Sequence, residues 1–176
     1  MTSPPPLDAC FAAVSYAYPW AGLIINYKLN GNPGLSAVLT TLLRNTPWVE
    51  PALERCDLVL PMPLSMQRLR ERGFNQALEL ARHLAPRKTD ATLLLRIRDT
   101  PSQRPLKRLD RQRNVAGAFA LEPLRAQRVR DRSVVLVDDV MTSGASLFAA
   151  ARILREASAA HITALALART DDPLAT

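Results

Sequence analysis

Residues 134–146 read VVLVDDVMTSGAS, and this stretch decides the fold. It opens with an unbroken apolar run, Val134 to Val137, which is typical of a parallel strand covered on both faces. A helix is predicted next, because apolar residues recur at helical spacing at Leu147, Ala150, Ala151 and Leu154. His161 to Ala168 then predicts another strand. Strand, helix and strand in this order indicate a right-handed parallel unit and an α/β fold.

Two aspartates, Asp138 and Asp139, directly follow the predicted strand. The carboxyl ends of parallel strands form the edge at which open α/β sheets bind their ligands. Carboxylates accept hydrogen bonds from vicinal hydroxyls, and they are also ligands for Mg²⁺. The pair is therefore a candidate site for a sugar and for that ion.

The loop after the aspartates is a candidate phosphate site. Gly144 allows a ligand to approach the backbone, and the N–H groups at the start of a helix attract anions. Thr142, Ser143 and Ser146 add hydroxyl donors. The aspartates and the loop together predict that the ligand is a phosphorylated sugar with free hydroxyls. The alternative interpretation is purely structural: a surface turn in which an aspartate caps the helix. A Walker A loop is excluded because there is no Gly-Lys-Ser/Thr sequence.

The composition fits one globular domain, with 48% hydrophobic and 22% charged residues in a chain of 176. The formal net charge of +7 suits a polyphosphate ligand or nucleic acid and does not choose between them. Cys10 and Cys56 lie far apart, which indicates neither a disulfide framework nor a zinc knuckle and favours a cytoplasmic setting. No apolar run approaches the roughly 20 residues that span a bilayer, so we expect no membrane insertion.

Several other elements can be predicted from local patterns. Residues 10–18 have the composition of an edge strand, and residues 35–45 carry a helical apolar stripe. Residues 56–63 predict a short buried strand that prolines end, followed by a helix from about Asn75. Leu93 to Ile97 predicts a further strand.

The stretch 134–146 resembles the phosphoribosyl-pyrophosphate motif of type I phosphoribosyltransferases. The resemblance implies a type I phosphoribosyltransferase-like α/β fold: a central, mostly parallel sheet flanked by helices, with a small N-terminal hood. Residues 1–55 would form the hood and first helices and residues 56–176 the core, in one compact domain overall. The motif implies that Asp138 and Asp139 bind the ribose hydroxyls and Mg²⁺. It assigns the 5-phosphate to the loop residues Thr142, Ser143, Gly144, Ala145 and Ser146.

Two more segments narrow the resemblance. Residues 60–81 and 96–119 are similar to the paired signatures of ComF/GntX-like proteins, a phosphoribosyltransferase branch associated with natural competence and DNA uptake. Residues 17–31 also resemble this family, with Lys28 in its usual basic position. The implied ligand is phosphoribosyl pyrophosphate or ribose 5-phosphate. Two functions stay open: a transferase acting on an unknown acceptor, or a non-catalytic competence module that binds single-stranded DNA or a helicase partner.

A transferase of this kind displaces pyrophosphate from C1 of the ribose through an oxocarbenium-like state, which needs charge stabilisation more than a covalent nucleophile. Arg68 and Arg72 are candidates to grip the pyrophosphate, with Mg²⁺ bridging pyrophosphate and ribose oxygens. The candidate catalytic residues are therefore these arginines together with Asp138 and Asp139. The segment 96–113 contains seven Lys or Arg and two Asp, so it is either a lid over the pyrophosphate or a solvated basic loop.

Two features depart from the family pattern. Many relatives begin with a four-cysteine zinc module ahead of a Pro-rich link, whereas this sequence begins near that link at Pro4 to Pro6, so we expect no zinc in this chain. Phosphoribosyltransferases of 6-oxopurines open the phosphate loop with an aspartate, but Thr142 takes that position here, which argues against hypoxanthine or guanine as acceptor.

The low aromatic content, 5%, weakens the case for base stacking with single-stranded DNA.

Overall fold

The computed structural model describes residues 6–30, 33–98, 115 and 117–170. Its α-helices are α1 (Trp20–Asn30), α2 (Pro33–Arg44), α3 (Val49–Arg55), α4 (Met66–Arg72), α5 (Gln76–Leu84) and α6 (Ala145–Glu156). Its strands are β1 (Ala9–Ser15), β2 (Leu58–Pro61), β3 (Leu94–Arg96), β4 (Phe119–Leu121), β5 (Ser133–Met141) and β6 (His161–Arg169). None of the helices in this part of the chain is long and apolar enough to cross a membrane.

Four strands form one parallel sheet in the order β1-β6-β5-β2. The register aligns Val134 of β5 with Ile162 of β6 and with Leu58 of β2, so the apolar runs of these strands lie side by side. Every residue from Val134 to Val137 is buried, which explains the unbroken apolar run. The predicted α/β fold, with a parallel central sheet and flanking helices, is confirmed.

The side chains of β5 alternate between the two faces of the sheet. Val135 and Val137 pack into one apolar cluster with residues of α1, α2, α3 and α5. Val134 and Leu136 pack into a second cluster with residues of α6 and of the small strands β3 and β4. Both faces of the central strand are therefore covered, and its ends are left to meet ligands.

Strands β3 and β4 form a separate antiparallel pair, in which Leu94 lies opposite Leu121 and Arg96 opposite Phe119. The predicted strand over Leu93 to Ile97 is therefore confirmed, two residues shorter than expected. The guanidinium of Arg96 lies over the Phe119 ring, 5.4 Å from its centroid. The predicted lid, 96–113, begins at the end of β3, and beyond Arg98 it lies outside the described residues.

Two short helices follow β2, where we predicted one from about Asn75. The prediction for α5 is right: Asn75 is its N-cap, and its side chain accepts a hydrogen bond from Leu78 N at 3.2 Å. The earlier helix α4 was missed because it buries no residue and so leaves no apolar stripe. Ser65 caps its start and Gly73 ends it in the left-handed conformation, with φ of 78°.

The N-terminal 55 residues contribute directly to the central sheet. The predicted edge strand over 10–18 is observed as β1, which pairs with β6 along its length. The predicted helix over 35–45 is observed as α2, which packs against α5. The part of the chain that we expected to form a hood therefore supplies the edge strand of the core sheet.

Candidate functional site

The acidic pair lies inside the central strand. The prediction that β5 ends at Val137 is wrong, because pairing with β6 continues through Asp138, which aligns with Ala166, as far as Met141. Local hydrogen bonds fix the two carboxylates. Asp138 Oδ1 accepts from the N–H of Asp139 at 2.9 Å, and Asp139 Oδ1 accepts from the N–H of Val140 at 2.6 Å. The pair nevertheless lies in the second half of the strand, toward the carboxyl edge at which the sequence predicts ligand binding.

The two carboxylates belong to different faces of the sheet. The ion pair with Lys28 of α1 places Asp139 on the face of Val135 and Val137, and continued alternation after Val137 puts Asp138 on the opposite face, that of α6. Asp139 therefore faces Lys28 of α1 and Arg72 of α4, and Asp138 faces the side of the predicted phosphate loop. A ligand that reaches both carboxylates must therefore lie across the end of the strand.

Asp139 is held between two cations. Its Oδ2 lies 3.1 Å from Lys28 Nζ in α1 and 3.7 Å from a terminal nitrogen of Arg72 in α4. The Asp139 side chain is only 12% exposed, and those of Lys28 and Arg72 are 20% and 22% exposed. Although Oδ2 is buried, neither cation has the geometry of a hydrogen bond to it. The cations therefore act on Asp139 by charge, and they are not committed to it by directed bonds.

The pKa of Asp138 lies far above the ordinary value for an aspartate. Burial, and then the negative charge of Asp139, raise the pKa of Asp138 to about 7. The Asp139 amide and Lys28 act in the opposite direction without offsetting this rise. Because adjacent carboxylates resist full ionisation in a site of low polarity, the pair at neutral pH either retains a proton or favours a nearby cation.

The loop between β5 and α6 requires its glycine. Gly144 adopts the left-handed conformation with φ of 72° immediately before α6. A Cβ atom there would lie 2.8 Å from Phe148 Cε2 and 2.9 Å from Met141 Cε, closer than such contacts occur. The first main-chain bond of α6 runs from Phe148 N to Gly144 O at 2.8 Å. The N–H groups before Phe148 face the start of the helix, as a phosphate site requires.

Hydroxyl groups surround this helix start. Thr142 is exposed, and Ser143 and Ser146 are half-buried. Ser143 Oγ accepts a hydrogen bond from the N–H of Ala145 at 3.4 Å, so one side chain already turns toward the helix start. Ala145 itself is buried at the first position of α6. The loop residues thus lie at the start of α6, directly after the strand that carries the acidic pair, and their role in phosphate binding stays a prediction.

The basic residues separate into two groups. Arg72 lies at the acidic pair, but Arg68, half-buried one helical turn earlier, makes no ion pair among the described residues. Lys28 had no assigned contact in the sequence, yet it lies nearer to Asp139 than Arg72 does. In the sequence, the family resemblance alone pointed to Lys28. A contact between the first helix and the fifth strand leaves no pattern in the neighbouring residues that could have predicted it.

Comparisons with known proteins identify the family and the relatives of this chain. The family described as "Phosphoribosyl transferase domain" matches residues 70–174, more than half of the 176 residues. "DNA utilization protein YhgH" of Escherichia coli K12 is 31% identical over 97% of this chain and 76% of its own length. "Competence protein F" of Haemophilus influenzae is 34% identical over 64% of this chain and 50% of its own length.

"Competence protein ComFC" of Bacillus subtilis is 33% identical, over 64% of this chain and 45% of its own length. These relatives include the competence proteins to which the sequence signatures pointed. The family match also covers β5, the acidic pair, the glycine loop and α6 in one continuous segment. The type I phosphoribosyltransferase-like fold is thereby confirmed, and the chain belongs to the ComF-type branch of the phosphoribosyl transferase domain family.

Proposed function

We propose that this protein binds phosphoribosyl pyrophosphate, or a ligand that contains ribose 5-phosphate, at the carboxyl edge of its sheet. The observation that carries the proposal is the arrangement around β5: an acidic pair, two cations on Asp139, and a glycine loop that opens α6. Carboxylates suit ribose hydroxyls, the helix start suits a phosphate, and the cations suit a second anionic group. Such a ligand carries all three kinds of group.

In the proposed complex the 5-phosphate binds to the loop from Thr142 to Ser146. The free N–H groups of the first helical turn and the loop hydroxyls supply its hydrogen bonds. Gly144 lets the loop backbone adopt the left-handed conformation that precedes α6, where a Cβ would meet the side chains of Phe148 and Met141. The ribose then lies over Asp138 and Asp139.

Lys28 and Arg72 are the proposed pyrophosphate contacts. Both already lie within ion-pair distance of Asp139, so a pyrophosphate group at this edge would find two cations in place. We keep Arg68 as a further candidate, since it lies in the same helix as Arg72. A transfer reaction would need these charges to stabilise the departing pyrophosphate.

The acidic pair also fits Mg²⁺. This ion is usually held by one or two carboxylates, with waters and substrate phosphates completing its shell, so Asp138 and Asp139 are the candidate protein ligands, together or singly. The elevated pKa of Asp138, caused by burial and by Asp139, indicates excess negative charge that a cation would relieve. When bound, Mg²⁺ would neutralise pyrophosphate oxygens and order the ribose beside them.

We further propose that this ligand site serves the use of external DNA. The relatives are named as a DNA utilization protein and as competence proteins, and the similarity to the former covers 97% of this chain. The proposed reaction class is pentosyl transfer, in which an acceptor displaces pyrophosphate from C1 of the ribose. Screening nucleobases and amines for release of pyrophosphate from phosphoribosyl pyrophosphate would identify the acceptor.

Calorimetry with phosphoribosyl pyrophosphate and Mg²⁺ tests the ligand. We expect a saturable heat of binding for the natural chain and none for Asp138→Asn/Asp139→Asn. Asp131→Asn is the matched control, because Asp131 is exposed, precedes the opposite end of β5 and has φ of 57°, a conformation that asparagine tolerates. Absence of binding by the natural chain, or equal binding by the double variant, would refute the proposal.

Direct binding of single-stranded DNA is the second candidate function. Two exposed aromatic side chains favour it, Tyr18 at 96% and Trp48 at 67% exposure, together with the net charge of +7. Fluorescence anisotropy with an oligonucleotide, repeated over a range of salt concentrations, measures the number of phosphate contacts. Tyr18→Ala/Trp48→Ala should weaken binding, whereas Leu124→Ala, which removes an exposed aliphatic side chain, should not. A shallow salt dependence would count against this function.

A further inference from the structure

A buried glutamine lies directly behind the two cations of the site. Gln76 is the first residue of α5 and is only 1% exposed, although it is polar. Buried polar side chains are costly unless their hydrogen bonds are satisfied, so the partners of Gln76 indicate its role.

The side-chain amide of Gln76 contacts the segments that carry both cations. Its Oε1 accepts a hydrogen bond from a terminal nitrogen of Arg72 at 3.1 Å. Its Nε2 donates to the main-chain carbonyl of Lys28 at 3.3 Å. The same Arg72 nitrogen lies 3.7 Å from Asp139 Oδ2, and the Lys28 ammonium lies 3.1 Å from that atom. One amide therefore connects α1 to Arg72 at the point where both cations approach Asp139.

Gln76 is itself held in place by buried neighbours. The Tyr27 hydroxyl donates to the main-chain carbonyl of Gln76 at 3.3 Å and lies 3.1 Å from Ser36 Oγ. Burial raises the pKa of Tyr27 to about 12, so its hydroxyl stays protonated and remains a donor at neutral pH. The Tyr27 ring meets the Phe74 ring edge-to-face, with centroids 5.7 Å apart. These contacts fix the position of Gln76, whose amide in turn bonds to Arg72 and to the main chain of Lys28.

The chemistry of these contacts requires an amide. Gln76 accepts from one partner and donates to the other through a single planar group. A carboxylate could accept from Arg72 but could not donate to the Lys28 carbonyl, and a thioether could do neither in a comparable way. The contacts also leave the charged end of Lys28 and the remaining nitrogens of Arg72 available to a ligand.

We propose that Gln76 is a positioning residue that holds Lys28 and Arg72 together so that they grip the pyrophosphate end of the ligand. This inference rests on the proposed function and deepens it, because it separates recognition of the pyrophosphate from recognition of the ribose 5-phosphate. Gln76 is buried and does not itself touch the ligand. Its effect is therefore confined to ligands that carry an anionic group at C1.

The test compares two ligands, phosphoribosyl pyrophosphate and ribose 5-phosphate, each titrated with Mg²⁺ into the full chain. Gln76→Met keeps the size of the side chain and removes both hydrogen bonds. We expect this variant to bind phosphoribosyl pyrophosphate about tenfold more weakly or worse, because the loss of a hydrogen bond to a charged group changes affinity by about that factor. Its affinity for ribose 5-phosphate should be unchanged. Gln127→Met is the control, because Gln127 is exposed and its side-chain amide donates to the carbonyl of Leu124 at 3.0 Å.

Gln76→Glu provides a second variant, in which the start of the helix and the neighbouring Arg72 offset part of the cost of burying the new carboxylate. It retains an acceptor for Arg72 but loses the donor to Lys28, and we expect the same selective loss. Equal loss for both ligands, or no loss for either, would overturn the positioning role while leaving the proposed function intact. If the natural chain binds neither ligand, the proposed function fails and this inference fails with it.

Discussion

The ammonium of Lys28 in α1 lies 3.1 Å from Oδ2 of Asp139 in β5, and this contact ties the first helix to the central strand. Both side chains are largely buried, with exposures of 20% and 12%. If one of two buried charges is removed, the remaining charge still carries the free-energy cost of its removal from water. The pair should therefore contribute to folding as well as to ligand binding.

Replacing Lys28 with methionine should destabilise the protein by about 1 to 2 kcal/mol, because Arg72 remains near Asp139 and limits the loss. The double variant Lys28→Met/Asp139→Asn should be more stable than the sum of the single effects predicts, by about 1 kcal/mol. Urea denaturation of all four proteins measures this coupling. Strict additivity would mean that the two charges do not interact in the folded state.

Asp138→Asn should stabilise the fold in the absence of ligand while reducing affinity for phosphoribosyl pyrophosphate. Burial and Asp139 raise the pKa of Asp138 to about 7, above the value of about 3.9 in an unfolded chain. The contribution of Asp138 to the free energy of unfolding is therefore most favourable below a pH of about 4, and it is lost as the pH rises to about 7. The advantage of the asparagine variant should grow over that interval.

Urea denaturation without Mg²⁺ at several values of pH measures this advantage. Asp131→Asn, at the other end of β5, should show no comparable change with pH. A variant less stable than the natural chain at pH 8 would contradict the electrostatic account. Such a gain in stability with a loss of binding is expected where a site concentrates like charges for its ligand.

Alanine in place of Gly144 should impair both the fold and phosphate binding. The residue has φ of 72°, and the added Cβ would meet Phe148 at 2.8 Å and Met141 at 2.9 Å. Gly73→Ala is the matched control, because Gly73 has φ of 78° but no atom within 4 Å of the added carbon. We expect about 1 to 2 kcal/mol of destabilisation for Gly73→Ala, from the left-handed backbone alone, and a larger loss for Gly144→Ala. Thermal or urea unfolding of both variants provides the comparison, and equal losses would exclude the steric effect.

Acid should weaken the cluster around Asp90. Burial alone raises the pKa of Asp90, but hydrogen bonds from Thr92 and the charges of Arg125 and Arg128 outweigh it and hold the pKa below its ordinary value. The stabilising contribution is therefore present above the unfolded pKa of about 3.9 and is lost as the pH falls through the folded value. In Asp90→Asn the free energy of unfolding should fall less between pH 5 and pH 3 than in the natural chain. Parallel curves for the two proteins would rule out this contribution.

The elements that the sequence predicts best are those with a local signal. The apolar run before Asp138 predicts a strand covered on both faces, and the loop with Gly144 predicts the start of α6, because each pattern reflects burial or backbone geometry within a few residues. Asn75 likewise predicts the start of α5 through its own cap.

The features that escape prediction depend on contacts between distant segments. The extension of β5 to Met141 depends on pairing with β6, which hydropathy does not reveal at polar positions. The approach of Lys28 and Gln76 to the site depends on how α1 and α5 pack over the sheet. Neither residue has a neighbour pattern that reports such a contact, so their roles emerge only from the three-dimensional arrangement.

The strand order also governs when the molecule can assemble. β6 lies between β1 and β5, although β1 is the first strand of the chain and β6 the last among the described residues. During synthesis, β1 is made before β6, which is its strand partner among the described residues, so β1 stays without that partner until β6 has been made. Contacts of such long sequence separation slow folding and leave strand edges exposed in the nascent chain. The sheet is therefore complete only after β6 inserts between β1 and β5, and the acidic pair acquires its final surroundings at that step.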